Sequence, residues 1–198
     1  MMDGILGVII AAVTGYLLGS IPFGLLLTKA AGMGDIRAIG SGNIGATNVL
    51  RTGNKWLALA TLLLDAGKGA LAVYVAREIA PDATLIAAAS AFFGHLYPMW
   101  LNFRGGKGVA VFLGIALAVN IGLGAICCVI WLLTGLLFRY SSVAALAAAT
   151  IAPVYAMVMV PPLETAVLFL LLALMIFQRH SSNIRRLLRG EEPRIGQK

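Results

Sequence analysis

Apolar stretches alternate with short polar segments along nearly the whole chain. Seven of them predict membrane-spanning helices, at about residues 4–29, 56–76, 83–99, 109–119, 123–138, 143–160 and 163–177. Pro22 predicts a kink in the first helix, and Asn120 marks the division between the fourth and fifth. Since about 20 apolar residues cross a bilayer as a helix, we predict an all-α membrane protein. It would be a bundle of about seven transmembrane helices forming one domain over 1–198, with no soluble domain.

The composition strengthens this interpretation. Mean hydropathy is +0.93 and only 12% of residues are charged, against about 25% in soluble domains. The net charge of +7 does not indicate a nucleic-acid partner, because the basic residues lie mostly between apolar stretches. The adjacent cysteines Cys127 and Cys128 lie within an apolar stretch, so we predict neither a disulfide nor a metal site there.

The basic residues are concentrated on alternate connecting segments. Segments 29–55, 101–108, 139–142 and the tail after 178 carry 13 of the 15 Lys and Arg residues. Cytoplasmic loops are enriched in such residues, so we predict an external N-terminus and a cytoplasmic C-terminus. All polar motifs would then lie on the cytoplasmic face.

The longest polar run between two apolar stretches is 40–51, GSGNIGATNVLR. Glycines allow backbone amides to approach a ligand closely, and successive amides form an anion-binding nest. Hydroxyl, amide and guanidinium groups add directed donors for phosphate oxygens. A flexible connecting loop is the alternative, but such a loop has no need of these side chains. The candidate ligands are Ser41, Asn43, Gly45, Thr47, Asn48 and Arg51.

A second candidate anion site is the segment RGGKG at 104–108. It leads directly into the stretch 109–119, so its amides would lie at a helix N-terminus, which attracts phosphate. It is not a Walker A loop, because no Ser or Thr follows the lysine and the spacing differs. On its own, the segment is equally compatible with a positively charged membrane anchor. The candidate ligands are Gly105, Gly106, Lys107 and Gly108.

The third motif is RHSSNIRRLLRGEE at 179–192. His180 and Asn183 are three residues apart and share a helical face. Arg185, Arg189 and Arg194 are expected to lie on anionic lipid headgroups. Because neither histidine nor asparagine assists membrane anchoring, this pair is the more specific part of the motif.

Ionisable residues also occur inside apolar stretches. Asp65 and Lys68 lie within 56–76, where an isolated charge would cost about 2.5–3.5 kcal/mol. We expect them to pair in the bundle interior, and structural pairing and substrate contact both remain open. His95 is expected to be a hydrogen-bonding or interface residue. Ser142 either caps the sixth helix or faces the site.

Three motifs, in this order and spacing, resemble the bacterial acyl-phosphate:glycerol-3-phosphate acyltransferase family. The matching segments are 40–51, 94–110 (GHLYPMWLNFRGGKGVA) and 179–192. With the hydropathy pattern, the resemblance covers nearly the whole chain. This sequence departs from the family at a few positions: Ile44 replaces a common proline, Arg104 a frequent lysine, and Ala144-Ala145 a frequent serine.

The resemblance implies an enzyme that transfers an acyl group from acyl-phosphate to the 1-hydroxyl of glycerol 3-phosphate. The products would be 1-acyl-glycerol 3-phosphate (lysophosphatidate) and inorganic phosphate, in the first acylation of phospholipid synthesis. The protein would act as a monomer among the lipids of the bacterial inner membrane, with its site facing the cytoplasm. No metal or other cofactor is implied.

The implied roles divide the motifs between the two substrates. The loop 40–51 would bind the acyl-phosphate headgroup with help from 105–108, whose amides or lysine would stabilise charge on the acyl oxygen. The candidate catalytic residues, which would orient glycerol 3-phosphate, are Arg51, Lys107, His180 and Asn183. The general base is either His180 or the donor's own phosphate. Lys68 and Ser142 are further candidates for substrate binding.

Two other classes of function compete with this one. An anion transporter or channel should carry polar groups at mid-depth on several helices, and here only Asp65 and Lys68 lie there. The chain also lacks a strong internal repeat. A non-catalytic lipid-binding scaffold would not account for two glycine-rich loops.

Overall fold

The computed structural model describes residues 4–196, and all regular secondary structure in this range is helical. The α-helices are α1 (Ile5–Gly19), α2 (Phe23–Ala30), α3 (Ala46–Leu50), α4 (Lys55–Ile79), α5 (Thr84–Leu96), α6 (Val109–Val119), α7 (Ile121–Phe138), α8 (Ser141–Met159), α9 (Leu163–Arg179) and α10 (Ser181–Leu188). Short 3₁₀ turns occupy Ile36–Ala38, Pro81–Ala83 and Met99–Leu101. The chain divides into two compact units, Met1–Ala118 and Val119–Lys198, which are described separately.

Several helical segments in the described range are long and apolar enough to cross a membrane. Five qualify, namely Ile5–Ala30, Lys55–Ile79, Pro81–Leu101, Ile121–Phe138 and Ser141–Met159. α9 and α10 together make a sixth candidate, bent by 59° at their junction. α6 is apolar but has only 11 residues. The predicted all-helical membrane architecture is confirmed, while the count of seven spans, the single domain and the orientation of the termini stay predictions.

The predicted interruptions of the apolar stretches take definite forms. The kink expected at Pro22 is a complete break, because α1 ends at Gly19 and α2 begins at Phe23. The division expected at Asn120 is confirmed: its side-chain oxygen accepts a hydrogen bond from the amide of Leu123 at 2.9 Å and so caps α7.

Small residues allow the helices of the first unit to approach closely. A Cβ atom at Gly19 of α1 would overlap the backbone of Ala91 on α5, and one at Gly114 of α6 would overlap that of Ala66 on α4. Packing through such contacts is typical of helices in lipid, where apolar burial alone does not drive association. These contacts hold the helices that carry the first two motifs.

In the second unit, α8 packs against α7 and α9. Its buried side is made of alanines, namely Ala144, Ala145, Ala148, Ala149, Ala152 and Ala156. Cys127 of α7 is buried, and both it and Cys128 are free thiols, in agreement with the packing role predicted for them. Ser142 lies in the first turn of α8 and is buried as well.

Candidate functional site

Asn48 shapes the glycine-rich loop 40–51 from inside. Its side chain is 2% exposed. The amide nitrogen donates to the carbonyls of Ile36, Ile39 and Asn43 at 2.9, 3.0 and 2.8 Å, and the amide oxygen accepts from the backbone N–H of Ser41 at 3.1 Å. Both functional groups of this side chain are therefore used to join the loop to itself and to the segment before it. We assign Asn48 to loop structure, a role that the sequence pattern did not distinguish from substrate binding.

Two glycines of this loop have left-handed backbones. Gly40 has φ 56° and Gly42 has φ 68°, a region that side chains disfavour. A Cβ atom at Gly40 would lie 2.6 Å from both the Arg51 guanidinium and the Asn48 side-chain oxygen. Arg51 therefore lies across the loop at Gly40, where it adds a positive charge.

The remaining polar residues of the loop differ in their surroundings. Asn43 stabilises the turn, because its side-chain oxygen accepts from the amide of Gly45 at 3.3 Å. Ser41 and Thr47 are exposed, and Arg51 is half-buried. Two hydroxyls and one guanidinium are thus the groups that this loop presents for an anion.

The glycines of the second motif fit against the end of α5. The amide of Gly105 donates to the carbonyl of Leu96, and that of Gly106 to the carbonyl of His95, both at 3.0 Å. A Cβ atom at Gly106 would collide with the His95 ring, and one at Gly108 with the ring of Phe92. The prediction that amides of this loop bind an anion is therefore corrected for Gly105 and Gly106, whose N–H groups are bonded to α5. The half-buried Lys107 is the charged group that this segment offers next to α6.

The segment that leads to these glycines is tied to α1. The Tyr16 hydroxyl donates to the carbonyl of Tyr97 and accepts from the amide of Met99, both at 3.0 Å. The indole N–H of Trp100 donates to the carbonyl of Ser20 at 2.8 Å. Sequence inspection missed this role of Tyr16, since a lone tyrosine in an apolar stretch gives no such signal. The bonds fix the second motif to a helix of the same unit.

Lys68 is held at the centre of a buried polar cluster. Its ammonium lies 2.6 Å from the carbonyl of Ile21, 2.7 Å from Asp65 Oδ1 and 3.0 Å from His95 Nδ1. The whole residue is only 3% exposed. These contacts support the structural pairing of Asp65 and Lys68, while substrate binding by Lys68 stays a prediction. His95 is a hydrogen-bonding residue, as predicted.

In the second unit, Glu192 joins three polar side chains. Its Oε1 accepts from Ser142 Oγ at 2.7 Å and from Asn183 Nδ2 at 2.6 Å, and its Oε2 accepts from Arg186 Nε at 2.8 Å. Glu192 is 8% exposed. It was not among the predicted site residues, although an acidic residue in a basic tail was a usable signal.

Ser142 bonds to Glu192 and does not cap α8. The residue preceding α8 is Tyr140, which makes no side-chain cap, so the capping alternative for Ser142 is wrong. Burial raises the pKa of Glu192, but hydrogen bonds from Asn183, Ser142 and Arg186 outweigh it and hold the pKa below its ordinary value. Glu192 is therefore ionised at neutral pH. The hydroxyl of Ser142 and the amide N–H of Asn183 are directed to this carboxylate.

His180 lies at the bend between α9 and α10 and is 3% exposed. Its Nδ1 is 2.8 Å from the carbonyl oxygen of Ile176. A carbonyl can only accept, so Nδ1 carries the proton, and the lone pair of the neutral ring is on Nε2. The fold thus gives His180 a proton-accepting nitrogen in a fixed orientation.

No group of three or more His, Cys, Asp or Glu side chains within residues 4–196 is arranged to hold a metal ion. The chemistry that the described side chains offer is the binding of anions by Arg51 and Lys107 and the acceptance of a proton by His180. Whether these residues act together is a prediction from the sequence.

Comparisons with known proteins bear on this chemistry. The sequence profile of the family described as glycerol-3-phosphate acyltransferase matches residues 9–190. A glycerol-3-phosphate acyltransferase of Mesorhizobium japonicum is 57% identical over 192 residues, covering 97% of this chain and 98% of its own. One from Cereibacter sphaeroides is 57% identical over 197 residues, covering 99% and 93%.

Two crystal structures of PlsY, an integral membrane glycerol 3-phosphate acyltransferase, have the same fold. The glycerol 3-phosphate form has a TM-score of 0.90 and 34% identity, covering 96% of each chain. The lysophosphatidic acid form has a TM-score of 0.88 and 33% identity, covering 96% of this chain and 95% of the other. The likeness therefore extends over the sequence and the fold together.

We expect Glu192→Gln to lower the melting temperature of the detergent-solubilised protein at pH 7. Hydrogen bonds to a charged group contribute about 1.5–3 kcal/mol, which corresponds to roughly 3–10 °C in a chain of this size. Because the folded pKa lies below the ordinary value of 4.5, this stabilisation is complete above pH 4.5 and is lost as pH falls through the lowered pKa. The difference between variant and parent should therefore shrink below pH 4.5.

The exposed neighbour Glu191 provides a matched control. Glu191→Gln removes the same charge and should leave the melting temperature nearly unchanged. A melting curve for Glu192→Gln that coincides with that of Glu191→Gln at pH 7 would show that the carboxylate does not stabilise the fold.

Proposed function

Because the chain belongs to the glycerol-3-phosphate acyltransferase family, matching it over residues 9–190, we propose that its acyl donor is acyl-phosphate and its acceptor group the 1-hydroxyl of glycerol 3-phosphate. The products are then 1-acyl-glycerol 3-phosphate and inorganic phosphate, in the first acylation of phospholipid synthesis. The family match is the observation that carries the proposal. That the chain is an integral membrane acyltransferase follows from the match directly.

The donor assignment is supported by the polar groups of the loop 40–51. Acyl-phosphate joins a phosphate headgroup to a long apolar chain, which the surrounding lipid accommodates. The exposed hydroxyls of Ser41 and Thr47 are suited to bind the phosphate oxygens of the donor. Asn48 and the left-handed glycines Gly40 and Gly42 hold the loop in shape.

The acceptor is oriented by charged and amide groups. In this proposal Lys107 and Arg51 bind the phosphate of glycerol 3-phosphate, and Asn183 contributes an amide whose orientation is set by Glu192. Positioning of this kind removes much of the entropic barrier to a reaction between two bound substrates. Lys107 additionally stabilises the negative charge that develops on the acyl carbonyl oxygen.

The reaction is a direct transfer. The 1-hydroxyl oxygen forms a bond to the acyl carbonyl carbon, and the bond between that carbon and the phosphate oxygen breaks. Phosphate leaves with the electron pair. The hydroxyl proton goes to Nε2 of His180, the ring nitrogen that carries the lone pair when Nδ1 donates to Ile176. Acyl-phosphate is already activated, so no covalent enzyme intermediate is required.

The site faces the cytoplasm in this proposal, and the membrane is the bacterial inner membrane. The support is the distribution of Lys and Arg, since the segments that hold the three motifs are the basic ones. The enzyme acts as a monomer, with both substrates and the lysophosphatidate product exchanging with the cytoplasm or the surrounding lipid.

Release of phosphate by the purified protein tests the donor assignment. We expect phosphate in amounts equal to lysophosphatidate when acyl-phosphate and glycerol 3-phosphate are supplied together, and little product when acyl-CoA replaces acyl-phosphate. Product formation from acyl-CoA at an equal rate would overturn the assignment, as would an absence of phosphate release from acyl-phosphate.

Substitution of His180 tests the proton acceptor. We expect His180→Gln and His180→Ala to lower kcat by about 10²–10⁴, the usual contribution of a general base, with a smaller change in KM. Size-exclusion chromatography and a melting curve establish that each variant is folded. A change confined to KM would instead assign His180 to positioning and leave the donor's own phosphate as the base.

A further inference from the structure

The buried cluster in the first unit contains ionisable groups that the proposed reaction does not use. Asp65 and Lys68 come from α4, His95 comes from α5, and the carbonyl of Ile21 comes from the break between α1 and α2. Burying an ion pair is costly unless its geometry is good and its remaining groups are bonded. Lys68 has three close partners, but Asp65 Oδ1 is held by the ion pair alone, with no aligned hydrogen bond among the described residues. An ion pair kept at this cost suggests a role beyond simple helix packing.

The contacts of Lys68 fix the state of the His95 ring. We take Lys68 as the ammonium partner of Asp65 in the ion pair. An ammonium group has no lone pair and can only donate, so in this state His95 Nδ1, at 3.0 Å, accepts. The proton of the neutral ring is therefore on Nε2. Asp65 Oδ1 lies 3.8 Å from His95 Nδ1, too far for a hydrogen bond, so Asp65 acts on the ring through Lys68.

The His95 residue also holds the second motif. The carbonyl of His95 accepts a hydrogen bond from the amide of Gly106, and the carbonyl of Leu96 accepts one from the amide of Gly105. A Cβ atom at Gly106 would collide with the imidazole, with Nε2 as its nearest atom. The ring therefore lies directly against the Gly106 backbone, and its orientation and the path of the chain toward Lys107 depend on each other.

We propose that Asp65, Lys68 and His95 form a positioning unit for residues 105–107, in which Lys68 holds His95 in the Nε2–H tautomer. Asp65 balances the charge of Lys68, Lys68 orients the imidazole, and His95 fixes Gly105 and Gly106 immediately before Lys107. None of the three contacts substrate in this scheme. The effect of this unit on catalysis rests on the proposed function, because it acts through Lys107. The tautomer of His95 does not depend on the proposed function.

The geometry disfavours two simpler roles for the cluster, namely substrate binding by Lys68 and a plain ion pair within α4. Direct substrate binding by Lys68 would have to displace one of three close partners around a side chain that is almost fully buried. A plain ion pair between Asp65 and Lys68 would stabilise α4 without requiring a histidine on α5. It would also not require the glycine that allows the imidazole to approach residue 106.

Nitrogen NMR on protein labelled with ¹⁵N-histidine tests the tautomer. The chain has two histidines, and the structure gives them opposite tautomers, since Nδ1 of His180 donates to Ile176 and Nδ1 of His95 accepts from Lys68. We expect one Nε2–H and one Nδ1–H ring at neutral pH. His95→Gln should remove the signals of the Nε2–H ring.

The link to Lys68 is tested in the same spectra. The double variant Asp65→Asn/Lys68→Met removes both charges together, so no unpaired charge is left buried. It should shift the His95 signals and leave those of His180 in place. Lys29→Met, which removes an exposed lysine of α2, should shift neither. A His95 ring protonated on Nδ1, or signals unaffected by the double variant, would overturn the proposal.

A double-mutant cycle with Lys107 tests the positioning role. Displacement of a catalytic group by about 1 Å can cost about 100-fold in rate, so we expect His95→Gln to lower kcat/KM by about 10- to 100-fold in the parent protein. In a Lys107→Ala background the same change should cost less than about 3-fold, because the group that it positions is absent. An equal loss in both backgrounds would show that His95 does not act through Lys107.

The two tests separate this inference from the proposed function. If the enzyme failed to use acyl-phosphate, the NMR prediction would be unchanged. The double-mutant cycle could still be measured, because acylation of glycerol 3-phosphate with any donor supplies a rate. Asp65→Asn/Lys68→Met should match His95→Gln in kcat/KM, and combining the changes should add little. A larger loss in the double variant, confined to KM for glycerol 3-phosphate, would restore Lys68 as a substrate ligand.

Discussion

A polar group surrounded by apolar helices must find a partner, because leaving it unpaired costs more than most single contacts contribute. Each of the three motifs in this chain is organised around one buried polar side chain that meets this condition. Asn48 binds four backbone groups of its loop and of the segment before it, and Lys68 binds Asp65 and His95 of the second motif. Glu192 accepts from three side chains at the third.

This constraint separates the polar residues of each motif into two groups. Those that are fully bonded inside the protein, such as Asn48 and the amides of Gly105 and Gly106, determine shape. Exposed or half-buried groups, such as the hydroxyl of Thr47, the Arg51 guanidinium and the Lys107 ammonium, are the ones suited to meet substrate. Loops are suitable places for such groups when a rigid scaffold holds the loop.

Hydropathy was sufficient to predict the helical membrane fold, and local sequence indicated the interruptions at Pro22, where a kink was expected and a break is found, and at Asn120. Motif composition identified the regions of the candidate site, but it could not assign roles within them. Asn48 and Thr47 look equally suited to bind a ligand until the partners of Asn48 are seen. The contacts of Lys68 with Ile21 and His95, and of Glu192 with Ser142 50 residues away, join positions distant in sequence, and no local pattern reports such pairings.

The proposed catalysis depends on positioning, electrostatics and proton acceptance by His180, with the acyl group passing directly between the two substrates. Rapid-quench measurement of phosphate in the first turnover tests this most directly. With acyl-phosphate alone, the account predicts no burst of phosphate, and release should begin only when glycerol 3-phosphate is added. A burst equal to the enzyme concentration in the absence of glycerol 3-phosphate would reveal an acyl-enzyme and contradict direct transfer.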